Sequence, residues 1–195
     1  MSASRTIAHK LTRVLSRAPL LAVALAVMPV WAALPNGTKA PDFTTEASLG
    51  GQAFQFSLAE ALKQGPVVLY FYPAAFTSGC TVEAHNFAEA TDKFKALGAT
   101  VIGVSADKIE TLHKFSVSEC RNKFAVAADA DQKIMKAYDA TLMLKPGWAS
   151  RTSYVIAPTG EILYSYSALS PNKHVTNTME AVQKWAAAHP AKTGS

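Results

Sequence analysis

Cysteine is nearly absent from this chain: there are two in 195 residues, Cys80 and Cys120. So few exclude a disulfide-dense scaffold, and their separation excludes the Cys-x-x-Cys pair that a dithiol carrier uses. Histidine is almost as sparse. His85, His113, His174 and His189 have no paired spacing of the kind that holds a metal, so no metal site is expected and each reads as a packed or solvated side chain. The sequence has no internal repeat and no low-complexity stretch, and no apolar run reaches the roughly 20 residues of a comfortable membrane-spanning helix. Charged residues make up only 17% and hydrophobic ones 49%. That balance excludes disorder and suits one domain with a substantial core, with room for a short appendage.

Acid is missing altogether from residues 1–32, which carry Arg5, Lys10, Arg13 and Arg17. An apolar run from Pro19 to Met28 follows and ends in Val30-Trp31-Ala32. A basic start, an apolar run of about ten residues and a small-residue site make a secretory signal peptide, with cleavage expected after Ala32. The other reading is an uncleaved N-terminal anchor; a lipoprotein signal is excluded because no Cys lies near the cut. Residues 33–195 are then a single domain, periplasmic or otherwise exported. Losing the leader removes four of the 19 Lys and Arg and none of the 14 Asp and Glu, so the formal charge falls from +5 to +1. A nearly neutral domain gives no electrostatic reason to expect nucleic acid or a stable membrane association. An oxidising compartment would permit disulfides.

Along the domain, Ala33 to about Thr44 is broken by Pro35, Gly37 and Pro41, and Phe54 and Phe56 alternate after Gly50-Gly51 as in a hairpin strand. Ser57 can cap a short helix over 58–63. The run Val67-Val-Leu-Tyr-Phe-Tyr72 reads as a strand buried on both faces, ended by Pro73. A helix over 79–97, a strand over 100–105, a helix from Lys108 toward Cys120 capped by Asp107, and a strand over 124–128 follow. Asp131 opens another helix through Tyr138. Strands at 153–156 and 162–166 flank Pro158-Thr-Gly160, a hairpin signal, and a last helix spans 175–188. From Val67 the order is β-α-β-α-β-α-β-β-α. That order predicts an α/β domain of thioredoxin-like layout, a mixed central sheet with helices on both faces and chemistry at the end of the first central strand.

The segment at that point is Phe71-Tyr-Pro73-Ala-Ala-Phe-Thr77-Ser-Gly-Cys80-Thr-Val-Glu83. It leaves the carboxyl end of a buried strand, where open α/β sheets place ligands, and enters a helix. Cys80 falls in the first helical turn, where free N–H groups and the helix dipole favour an anion and hence a thiolate. Thr77 can offer its hydroxyl to the sulfur or to an oxygen bound beside it, and Pro73 shields one side. The alternative for Cys80 is a buried inert thiol.

Pro73-x-x-x-Thr77-x-x-Cys80 resembles the active-site signature of the peroxiredoxins. Its surroundings are similar to the Q-type (bacterioferritin-comigratory) branch: Ala40-Pro-Asp-Phe43, Val67 to Pro73, Cys80-Thr-x-Glu83, Gly103-Val-Ser-Ala-Asp107, Arg151-Thr-Ser-Tyr-Val-Ile156 and Pro158-Thr-Gly160. The resemblance spans residues 37–188 in order and spacing. It implies a thiol peroxidase in which Cys80 attacks the O–O bond of hydrogen peroxide or an organic hydroperoxide and becomes a sulfenic acid. By the same resemblance Thr77 hydrogen-bonds sulfur and peroxide, Pro73 shields the pocket, and Arg151 keeps Cys80 anionic and stabilises charge on the peroxide oxygens. No cofactor is implied, since sulfur carries the redox change. The implied partner is a thiol reductant (thioredoxin-like, glutaredoxin-like or a small thiol), and a monomer is expected.

One position departs from the branch. Many members carry a resolving Cys five residues after the first, where this chain has His85, read as a surface side chain or an aid to proton transfer. Cys120, at the end of the helix after the second strand, is either the resolving cysteine, reached after unwinding around Cys80, or a free thiol in an enzyme resolved from outside. Trp148, shortly before Arg151, reads as packing or as a lining residue. The competing function is a non-catalytic thioredoxin-like carrier or chaperone.

Overall fold

A computed structural model describes residues 33–190; the expected signal peptide and its cut, and residues 191–195, lie outside them. The strands are β1 (Thr44–Leu49), β2 (Gln52–Ser57), β3 (Val67–Phe71), β4 (Thr100–Ser105), β5 (Ala125–Ala128), β6 (Thr152–Ile156) and β7 (Ile162–Ser167). The helices are α1 (Leu58–Leu62), α2 (Ser78–Ala96), α3 (Ile109–Ser118), α4 (Lys133–Ala137) and α5 (His174–Ala188), the last preceded by a 3-10 turn at Pro171–Lys173. The strands form a seven-stranded sheet in the order β2-β1-β5-β4-β3-β6-β7. Pairs β3–β4 and β4–β5 are parallel, and the pairs outward from them are antiparallel. This is the mixed sheet predicted from the order of elements.

Alternation along β3 divides the core. Val67, Leu69 and Phe71 face one layer with Leu58 and Leu62 of α1 and Ile134 and Met135 of α4. Val68 and Tyr70, with Tyr72 just beyond, face the other layer with Phe87 and Phe94 of α2, Leu112 and Phe115 of α3 and Val182 of α5. Successive strand side chains point to opposite faces, and both faces are apolar, so the strand needs helices on each. Fully burying one such side chain contributes about 1.5–3 kcal/mol, and all five residues of β3 are buried.

Several boundaries differ from the sequence reading, each for a local reason. The segment after Thr44 is a strand, β1, pairing with β2 from Thr44↔Ser57 to Leu49↔Gln52; its Ser, Thr and Glu side chains hid it from a hydrophobic-pattern reading. Helix α3 is capped at Lys108, not Asp107, whose carboxylate is engaged elsewhere. At α4 Asp131 accepts the Lys133 N–H at 3.3 Å, as expected of the residue that opens the helix, and the carboxylate of Asp129 takes the N–H groups of Ile134 and Met135, at 3.0 and 2.8 Å. Ser57 does cap α1, accepting from the Glu60 N–H at 3.3 Å.

Gly103 illustrates the packing tolerance. Tyr70 pairs with it across β3–β4, stacks on Phe87 with ring centroids 4.4 Å apart, and sits where a Cβ on residue 103 would meet its Cζ at 2.7 Å. The ring is buried and cannot swing out. Gly103→Ala is expected to destabilise the fold by about 1–3 kcal/mol, measured by urea denaturation; a loss under about 0.5 kcal/mol would show that the ring shifts freely.

Candidate active site

The site is assembled where β3 ends. The Tyr72 N–H continues the ladder to the Val104 carbonyl at 3.1 Å, and the chain then turns through Pro73, half-buried, into α2. The turn is tied down from β4: Asp107 Oδ2 accepts the Ala75 N–H at 2.7 Å and the Ser105 hydroxyl at 2.8 Å. Phe76 is held at φ +63°, 49% exposed, with its ring edge-on to Phe115. A non-glycine residue in this region is costly and persists where its surroundings over-determine it.

Thr77 is the N-cap of α2 by its backbone alone; its hydroxyl donates to the Ala74 carbonyl at 2.9 Å. That differs from the expected bond to sulfur and leaves the oxygen's lone pairs as acceptors. Cys80 is the third residue of α2, free and 1% exposed. From it the buried face of the helix runs Cys80, Glu83, Ala84, Phe87, Ala88, Thr91 and Phe94. Val82, apolar as it is, lies off that face and is exposed.

Arg151 lies 71 residues from Cys80 in sequence and reaches it through sheet register. Strand β6 pairs antiparallel with β3, Thr152 opposite Phe71, so the residue before Thr152 arrives beside the start of α2. Arg151 is 5% exposed and each nitrogen of its guanidinium donates once: Nη2 to Cys80 Sγ at 3.5 Å, Nη1 to Glu83 Oε2, and Nε to the Leu169 carbonyl at 2.9 Å. Gly79 makes room for it, since a Cβ there would stand 3.0 Å from Nη2. Burial disfavours the arginine's charge, but the charges of Glu83 and Cys80 more than offset it and hold its pKa above the ordinary value.

Behind the arginine lie two groups that sequence reasoning did not assign. Glu83 has no exposure, and burial, only partly opposed by Arg151, pushes its carboxyl up to about 8. His174, also fully buried, is pushed down to about 4 by burial, with the charge of Arg151 acting the same way and a bond to the Ala168 carbonyl opposing. Its Nε2 faces the Ala168 carbonyl at 3.1 Å and its Nδ1 lies 2.8 Å from Ser153 Oγ. The neutral ring thus donates from Nε2 and presents the Nδ1 lone pair. Glu83 had a local signal, three residues after Cys80 on one helix face. Asp107 lay in a quoted motif but read as a helix cap, and His174 had no signal.

Cys120 lies two residues past the end of α3, free and with no exposure, in the same core layer as Cys80. Burial, helped by the charge of Glu119, raises its thiol pKa. His85 is not an isolated surface residue: its Nε2 lies 2.9 Å from Glu119 Oε2, linking α2 to the segment that carries Cys120. Trp148 lies under the Lys145 ammonium, which sits 2.9 Å from its ring centroid, a cation–π contact.

Comparison with known proteins gives a consistent result. A profile described as the AhpC/TSA family matches residues 36–165. The chain is 34% identical over 177 residues to a protein of Triticum aestivum named "Peroxiredoxin Q, chloroplastic", covering 86% of this chain and 79% of that one. It is 32% identical over 155 residues to the protein of that name from Sedum lineare, covering 79% and 81%. Among solved structures it is similar to peroxidoxin BcpB from Mycobacterium tuberculosis, with a TM-score of 0.69, 28% identity and coverage of 76% of this chain and 96% of that one.

Glu83 and His174 make stability depend on pH in opposite directions. The folded protein holds the Glu83 proton up to about 8, whereas an ordinary carboxyl releases it near 4.5. Stability from this group is therefore full below 4.5 and is lost as pH rises through about 8. The contribution of His174 grows as pH rises from about 4 to 6.5 and is flat above that. The window above 6.5 isolates Glu83. Urea denaturation there should show about 1 kcal/mol lost per pH unit up to pH ~8, and Glu83→Gln should remove that slope; equal slopes in both proteins would show a carboxyl ionised throughout.

Proposed function

Because the chain belongs to the AhpC/TSA family as a peroxiredoxin of the Q-type branch, and is thus a thiol-dependent peroxidase, we propose that Cys80 is its peroxidatic nucleophile and Arg151, Thr77 and Pro73 complete its catalytic site. The observation that carries this reading is the bond from Arg151 Nη2 to Cys80 Sγ in a water-poor setting. An arginine stays charged at any working pH and offers directed donors, which favours the thiolate as nucleophile and leaves a donor near the oxygens on which charge develops. The Thr77 hydroxyl, its proton given to Ala74, accepts the O–H of an incoming hydroperoxide and so orients the O–O bond toward sulfur. Sulfur attacks the nearer oxygen, the O–O bond breaks, Cys80 becomes a sulfenic acid, and water or an alcohol leaves.

The substrates in this reading are hydrogen peroxide and organic hydroperoxides, the electrons come from a thiol reductant, and the protein acts as an exported, periplasmic-type monomer. Export is supported by the basic, apolar and small-residue parts of residues 1–32; the relatives named chloroplastic are plant proteins. The sulfenic acid is resolved by an external thiol, because Cys120 is fully buried with its thiol held protonated. A second route, resolution by Cys120, is favoured by one feature. Arg121 and Asn122, just after it, both have left-handed backbone, with φ of 51° and 57°, a strain that opening the segment would release.

Peroxide consumption with dithiothreitol should fall to the uncatalysed background in Cys80→Ser and by about 100-fold or more in Arg151→Met, as for loss of a key charge-stabilising donor. Wild-type rates in Cys80→Ser would refute the assignment. Non-reducing peptide mapping after one equivalent of peroxide should yield no Cys80–Cys120 peptide; its appearance would identify Cys120 as the resolving residue.

A further inference from the structure

The buried cluster behind the nucleophile contains one cation and two acids. Arg151 is 5% exposed, Cys80 1% and Glu83 not at all. With both acids ionised the cluster would carry an uncompensated negative charge away from water, a costly arrangement. With one ionised it is neutral. The hydrogen bonds indicate where the remaining proton sits. Glu83 Oε2 is taken by Arg151 Nη1, whereas Oε1 has no hydrogen-bond partner among the described residues. His174 Nδ1 lies 3.7 Å from Oε1. Because Nε2 of that ring faces the Ala168 carbonyl and must donate to it, Nδ1 carries no proton, and its lone pair takes the Ser153 hydroxyl at 2.8 Å. No donor therefore meets Oε1, so a charge on that oxygen would go unstabilised, whereas a proton there removes the charge.

Resting on the assignment of Cys80 as nucleophile, we propose that Glu83 stores a proton for the peroxidase reaction: it is protonated at Oε1 while Cys80 is a thiolate, and ionised once Cys80 is a sulfenic acid. The other groups around it agree. Cys80 shares its helix face, and a thiolate there raises the cost of ionising Glu83. Arg151 can neutralise one anion at a time. His174 at the start of α5 stays neutral, with its Nδ1 supported by Ser153 of β6. From β3 the Tyr70 phenol, itself buried without a hydrogen-bond partner, stays un-ionised because of burial and of neighbouring acids including Glu83.

The balance closes without a proton from solvent. The thiolate, the hydroperoxide and the Glu83 carboxylic acid become the sulfenic acid, the alcohol or water, and the Glu83 carboxylate. Sulfur loses two electrons to the O–O bond, and the stored proton ends on the leaving oxygen. In the reductive half, two molecules of reductant thiol and the Glu83 carboxylate return the thiolate, a disulfide, water and the protonated carboxyl. The Arg151 charge is balanced by a single anion before and after, first sulfur and then Glu83.

The full-length enzyme, reduced and at neutral pH, is treated with one equivalent of hydrogen peroxide. Three readings are taken on it: thiolate ultraviolet absorbance before, proton uptake with an indicator dye, and the infrared difference spectrum. The expected result is an ionised Cys80, net uptake close to zero, and loss of a carboxylic-acid carbonyl stretch that is absent from the Glu83→Gln spectrum. In Glu83→Gln, one proton per active site should be taken up. Uptake of one proton by the wild type, with no carboxylic-acid band to lose, overturns the proposal; so does zero uptake with the band retained, which would leave the charge on a sulfenate. Labelling of Cys80 by a sulfenic-acid-specific dione on the same sample separates the two levels. No label and no Cys80–Cys120 disulfide peptide means that the nucleophile assignment has failed, and a label with Glu83 ionised throughout means that only proton storage has.

Discussion

The guanidinium of Arg151 is the point on which the rest of the site depends. Its three nitrogens reach a sulfur on α2, a carboxylate one helical turn further along α2, and a backbone carbonyl beyond β7. A planar group with fixed donor directions can join three such partners only if all three are already in place. The sheet register, the glycine at position 79 and the burial of Glu83 therefore serve one geometric requirement. A lysine, with a single charged head, could keep the charge and would lose the alignment.

The turn from β3 into α2 is governed by a second constraint, its attachment to the neighbouring strand. Asp107 holds Ala75 from the end of β4, and Phe76 is wedged against Phe115 of α3. The loop between Pro73 and Cys80 is thus braced from two elements that follow it in sequence. Loops of this kind place functional groups on a rigid scaffold while keeping their own unusual backbone. The left-handed Phe76 belongs to that bracing, because it lets the chain reverse between a buried strand and a buried helix face.

Much of this was legible before any coordinates. The crossovers and the closing hairpin followed from apolar runs and Pro/Gly punctuation; Pro73, Thr77 and Cys80 were marked by their spacing and by family likeness, and Arg151 by family likeness alone. What escaped did so for identifiable reasons. Strand β1 is polar, since one face of an edge hairpin meets water, so it left no apolar alternation to read. Asp107 looked like a helix cap because a carboxylate before a helix usually is one; only the fold shows that the Ala75 N–H reaches it first. Glu83 sat within a quoted motif without a role, because a charged residue in a helix is normally solvated. His174 could be placed only through the packing of α5 against β6, which no local pattern encodes.

The pairing of Thr152 with Phe71 has a further consequence. The distance between Cys80 and Arg151 is set by this inter-strand register together with the brace from Asp107, and the loop just before β6 takes no part in setting it. The Thr141–Ala149 loop, bridged at its base, can therefore lengthen, shorten or change composition while Cys80 and Arg151 stay where they are. A one-residue slip of β6, by contrast, would turn Arg151 to the opposite face of the sheet. Change in this architecture is thus tolerated in the loop and not in the register that joins the two sides of the site.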